Sequence, residues 1–156
     1  MTAPKRTTAT IAELPGLKGS ELGTSDWFEV TQDRVNTFAD ATDDHQWIHV
    51  DVERAKAESP FGGPIAHGYL TLSLLPSLVP QIVTITGFSM GVNYGLNKVR
   101  FPAPVPVGSK VRARVTLKDV EEVAGGLQLT IGAVIVREGG DKPVCIAEPI
   151  FRTYGG

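Results

Sequence analysis

After the breaker cluster Phe61-Gly62-Gly63-Pro64 the chain carries Ile65, Ala66, Tyr69, Leu70, Leu72, Leu74, Leu75, Leu78 and Val79, apolar around most of a helical wheel. A helix on a protein surface keeps a polar side. This one has none, so it must be buried in the middle of the fold. It is not a membrane span: Thr71, Ser73, Pro76, Ser77, Pro80 and Gln81 interrupt the stretch from Tyr69 to Val83, and a bilayer needs about 20 predominantly apolar residues. Pro80 is expected to end the helix, and Pro76 is a second place for a kink.

What wraps such a helix is legible in a change of period downstream. Val111, Ala113, Val115 and Leu117 alternate with Lys110, Arg112, Arg114, Thr116 and Lys118, the pattern of a half-buried strand. Leu127, Leu129, Ile131, Ala133 and Ile135 repeat it, with Gly125-Gly126 as the turn between the two strands. Gly139-Gly140-Asp141 turns the chain into a last strand from about Pro143 to Thr153, and Ser89–Phe101 reads as an earlier strand with glycine interruptions. Upstream, Trp27–Val30 suits a short strand. Thr31 suits an N-cap with Asp33 in the first turn, and Val35, Phe38 and Ala39 form one apolar helical face running out near Ala41. Residues 42–64 read as loop, with a helical turn over Val52–Glu58. Strands after one wholly apolar helix give an α+β domain, an antiparallel sheet wrapped around a long buried central helix. That layout resembles the hot-dog arrangement.

At 156 residues this is one domain's worth of chain. Residues 1–23, small and polar around Leu14-Pro15-Gly16, read as a leader on the surface, and 24–156 as a single domain. A net charge of −2 with both signs interspersed recommends neither nucleic acid nor an anionic membrane as partner. Cys145 is the one cysteine, so no internal disulfide can form, and in a strand it reads as a small buried hydrophobe. Lys5 and Arg6 are followed by no apolar run, so no signal peptide is expected and the cytoplasm is the expected compartment.

The densest titratable cluster is Asp40-Ala41-Thr42-Asp43-Asp44-His45-Gln46-Trp47-Ile48-His49-Val50-Asp51, between two helices. Asp44 and His49, five apart in a loop, can both address one water molecule: a carboxylate ionised at neutral pH and a largely neutral imidazole are suited to polarise it and relay a proton. The same pattern also serves as capping and solvated turn chemistry, the reading given to Asp40 and Asp43. His45 and His49 would share a face if the loop were helical, but no third ligand stands at a characteristic spacing, so no metal is expected. His67 reads as a brace for the start of the buried helix.

Phe38-Ala39-Asp40-Ala41-Thr42-Asp43-Asp44-His45-Gln46-Trp47-Ile48-His49, followed by Ile65-Ala66-His67-Gly68, resembles the signature of the MaoC-like, (R)-specific enoyl-CoA hydratases. That family's pattern is Asp-x-Asn-Pro-(aliphatic)-His, then aliphatic-x-His-Gly opening the central helix. The resemblance continues through 93–105 and covers roughly residues 25–153. It implies Asp44 and His49 as the catalytic pair and the Gly68 N–H as an oxyanion-hole donor; substrate-binding residues are not assigned. It implies a hydro-lyase of fatty acid metabolism that adds water to trans-2-enoyl thioesters of coenzyme A or acyl carrier protein, or removes it from 3-hydroxyacyl thioesters. No cofactor is expected, and a homodimer is. The loop departs from the family at Gln46-Trp47, where Asn-Pro is usual. Pro76 stands where some members carry a serine, so no role passes to it. Two alternatives remain at this point: an acyl-carrier-binding module or supporting subunit of a heterodimeric dehydratase, and a hot-dog acyl-CoA thioesterase.

Overall fold

The alternating segments pair into one antiparallel sheet, and the apolar helix lies across it. The computed structural model describes residues 6–155. In chain order these form β1 (Thr7–Thr10), a 3-10 turn over Leu14–Leu17, β2 (Glu21–Thr24) and β3 (Phe28–Glu29). Next come α1 (Gln32–Thr42), α2 (Trp47–Val50), α3 (Val52–Glu58), α4 (Gly68–Ser73) and α5 (Leu75–Ile82). The chain finishes with β4 (Val83–Thr86), β5 (Met90–Arg100), β6 (Lys110–Val123), β7 (Gly126–Arg137) and β8 (Cys145–Tyr154). The main sheet runs β2-β6-β7-β8-β5, with β3 also on β6, all pairs antiparallel.

The inner face is the one the period marks. Val111, Ala113, Val115 and Leu117 of β6 and Leu129, Ile131, Ala133 and Ile135 of β7 are all buried, and Leu70, Leu75, Leu78 and Ile82 of the helical segments meet them in one core. Fully burying an aliphatic side chain of this size is worth about 1.5–3 kcal/mol, so this layer is the main stabilising contact. Strand β6 runs past Lys118, where the register with β7 shifts between Leu117 and Asp119. Lys118 lies across Gly132, where a Cβ would sit 2.8 Å from its Cε, and its ammonium reaches Glu148 at 3.1 Å on β8.

Two expectations are corrected. The central helix does not end at Pro80: it is two segments that meet at Leu74, and the second continues through Pro80 to Ile82. Pro76 falls in the first turn of α5, where a missing N–H has no helical partner to lose. Pro80 removes one interior hydrogen bond, a cost held against the burial of Val79 and Ile82 on either side. Second, the segment through residue 23 is no surface leader over its described part. Strand β1 pairs in parallel with β4, and Ala9, Leu14 and Leu22 are buried in the core. Single apolar residues in polar surroundings carry no period, which is why the sequence hides them. Residues 1–5 lie outside the described part.

Candidate active site

Thr31 caps α1, its hydroxyl accepting from the Arg34 N–H at 3.2 Å, and the helix stops when Asp43 takes a left-handed φ of 61°. That reversal turns Asp44 toward the start of α4. One turn of helix later, α2 delivers His49 inward, 6% exposed, whereas the Asp44 side chain is half exposed. Backbone and side chain lock the two loops together: the Ile65 N–H donates to the Ile48 carbonyl at 3.0 Å, and His49 Nδ1–H donates to the Ile65 carbonyl at 2.7 Å. A carbonyl only accepts, so Nδ1 carries the hydrogen and, in the neutral ring, Nε2 is left as the basic atom. Burial above all lowers the His49 pKa from its ordinary 6.5, and the neighbouring His67 lowers it further, while the Ile65 bond and the Asp44 carboxylate oppose the shift. His49 is thus a neutral proton acceptor at neutral pH.

His67 joins the pair more closely than a helix brace would require. Its Nε2–H donates to the Asp44 main-chain carbonyl at 3.0 Å, with the Asp44 carboxylate at 4.0 Å, and its ring stacks on His49 at 3.9 Å between centroids. Asp44, His49 and His67 each offer a ligand atom within 4.8 Å of the others. The two rings, only 25° from parallel, keep their in-plane lone pairs in near-parallel planes, an arrangement suited to stacking and not to converging on one ion about 2.0–2.1 Å away. His45, four residues before His49, belongs to another environment: it is exposed and bound to Asp40 at 2.8 Å, with Asp43 at 3.4 Å.

Gln46-Trp47, the departure from the family loop, has its own support. The Gln46 N–H reaches toward Asp44 Oδ1 at 3.4 Å, and the Arg54 guanidinium lies 4.3 Å above the Trp47 ring. Gln32 also supports the site from α1. Its Nε2 donates to the His49 carbonyl at 2.8 Å across 17 residues, a contact with no local signature. The Ser73 hydroxyl donates to the Leu70 carbonyl. Burial pushes the Cys145 thiol up to about 11, so it is inert as a nucleophile.

Gly68 opens α4, where the first N–H groups have no intrahelical partner. A Cβ on it would lie 2.9 Å from the Phe101 ring, so the approach to this backbone is open only to glycine unless Phe101 moves. Gly68 lines a cavity of about 370 Å³ with Ile65, Thr71 and Phe101. A second cavity, about 540 Å³, lies between α5 and the sheet, lined by Val79, Leu129, Ile131 and Phe151 among others. A third, about 310 Å³, begins at Tyr69 and shares Pro76, Asn93 and Phe151 with the second. Neither Asp44 nor His49 lines any of the three.

Comparison with known proteins gives the family and the fold. The 3-hydroxyacyl-thioester dehydratase Z of Mycobacterium tuberculosis (strain ATCC 25618 / H37Rv) is 55% identical over 148 residues, 94% of this chain and 97% of that protein. Among solved structures, the monoamine oxidase regulatory protein from Archaeoglobus fulgius superposes with a TM-score of 0.76 at 26% identity, covering 89% of this chain and 91% of the other. The (R)-hydratase from A. caviae involved in PHA biosynthesis gives 0.66 at 26% identity, covering 82% and 92%. The fold is therefore the hot-dog fold. Residues 14–138 match the family described as MaoC like domain, and this chain belongs to that family.

Proposed function

We propose that the protein is a hydro-lyase that interconverts trans-2-enoyl and (R)-3-hydroxyacyl thioesters, with Asp44 and His49 holding the reacting water. The observation that carries this reading is the pair itself: a half-exposed carboxylate beside a buried imidazole whose Nδ1 is committed to Ile65, leaving Nε2 as acceptor. In hydration, the water oxygen bonds to C3 as its proton is drawn toward the pair. The π electrons move to the thioester oxygen, and a proton delivered to C2 completes the 3-hydroxyacyl product. Dehydration is the reverse. The Gly68 N–H donates to the thioester oxygen as negative charge gathers there. Asp44 and His49 act as one coupled acid–base unit.

The acyl tail follows the second and third cavities along α5 over the inner face of the sheet, a volume within the usual range for small-molecule sites. Carriers of the thioester are coenzyme A or acyl carrier protein. A second copy of the chain is the partner proposed for β5, whose 11 residues form the sheet's outer edge and expose Met90, Val92, Tyr94 and Leu96. A long apolar edge left open invites pairing with another strand. Sedimentation of purified protein should give twice the 16.7 kDa chain mass; a clean monomer would reject the pairing. No helix among the described residues is long and apolar enough to cross a membrane.

Loss of enoyl-thioester absorbance on mixing with crotonyl-CoA tests the reaction. Asp44→Asn and His49→Ala should each lower kcat by about 10²–10⁴-fold while circular dichroism stays native. Full activity in either folded variant would end the assignment, and release of free thiol in place of hydration would turn the reading to a thioesterase.

A further inference from the structure

His67 is 2% exposed, its Nε2–H is committed to the Asp44 carbonyl, and its Nδ1 is buried with no hydrogen-bond partner. Burying an unpaired acceptor is unfavourable. A phenylalanine here would fill the same space, between Phe38 at 4.9 Å and His49 at 3.9 Å, without that cost. What distinguishes the imidazole from such a ring is its Nε2–H. What distinguishes it from a glutamine, which also donates, is its flat face against His49. Both halves of the proposed pair are therefore touched by one side chain, and that side chain directly precedes Gly68.

We propose that His67 is the positioning residue of the Asp44–His49 pair, its Nε2–H fixing the main chain of Asp44 while its face fixes the plane of His49. The role rests on the reading that those two residues hold the water. His67 itself need not touch substrate. Displacing reacting groups by about 1 Å can cost 10²-fold in rate, so a residue that sets both positions belongs to the rate and not to substrate affinity.

Two substitutions separate the two contacts. His67→Phe keeps a ring against His49 and deletes the donor; His67→Gln keeps a donor of similar reach and deletes the ring. In the crotonyl-CoA assay His67→Phe should lower kcat by roughly 10–100-fold with KM little changed and the melting temperature near wild type. His67→Gln should recover part of the loss. The titratable groups facing His49 are Asp44 and His67, and His67 lowers the His49 pKa, so in both variants the acidic limb of the kcat/KM profile should move to higher pH. Unchanged kcat and profile in His67→Phe would overturn the proposal. Equal loss in both variants matched by equal destabilisation would also overturn it. The chain has three histidines, so nitrogen-15 NMR of the wild-type imidazoles gives a readout independent of turnover. His67 should be the Nε2–H tautomer and His49 the Nδ1–H tautomer. An Nδ1–H tautomer for His67 defeats the positioning role even if the enzyme is active. Correct tautomers in a protein that hydrates nothing leave the geometry standing and defeat the catalytic reading.

Discussion

His45 and His49 sit four residues apart and have opposite surroundings. His45 is exposed, and its hydrogen bond to Asp40, helped by Asp43, raises its pKa. His49 is buried under Ile65 and His67, and burial lowers its pKa. One residue type, within one short segment, holds its proton more tightly in the first case and less tightly in the second. The difference lies in what the flanking helices do with the chain. The left-handed turn at Asp43 leaves His45 over the end of α1, and the single turn of α2 then rotates His49 into the core.

The sharpest way to break this contrast is to remove each ring in turn. His49→Ala carries the loss of about 10²–10⁴-fold already given; His45→Ala should leave crotonyl-CoA hydration near wild type, and a comparable loss there would erase the distinction. A smaller effect lies in stability against pH. The folded-state pKa of His49 is below 6.5, so as pH falls beneath that value the unfolded chain takes up the proton first and stability drops. The pKa of His45 is above 6.5, so its contribution is fully present below that value and is lost as pH rises through the folded pKa. Melting curves from pH 5 to 8 should therefore show the acid-side loss reduced in His49→Ala and not in His45→Ala. The reverse pattern would mean that the two environments are misassigned. Smallest is Gln32→Ala, which deletes the hydrogen bond to the His49 carbonyl and should cost about 0.5–1.5 kcal/mol in urea unfolding. No change would make Gln32 a bystander.

The sheet and α1 were legible because each rests on a local period or a cap: alternation in β6 and β7, and Thr31 before a helical face. The pair Asp44 and His49 was legible as a motif. The hydrogen bonds that orient it were not, since Gln32, Ile65 and His67 reach it across 16 to 23 residues. Long-range contacts of this kind leave no mark on neighbouring residues. The central helix was legible in extent only up to Pro80, because a proline's local penalty says nothing of the packing that offsets it.

The parallel pairing of β1 with β4 has a practical consequence for anyone who shortens this protein. The family match begins at residue 14, and a version trimmed to that point would look complete at its start by that match alone, although the 148-residue likeness to the dehydratase reaches further upstream. It would lack the strand that covers Val83–Thr86, as well as Ile11, which packs 3.2 Å from the Cβ position of Gly87. The wall of the 540 Å³ cavity, to which Val83, Thr84 and Ile85 contribute, would then stand without its backing. The unit that folds extends upstream of the segment that the family match covers.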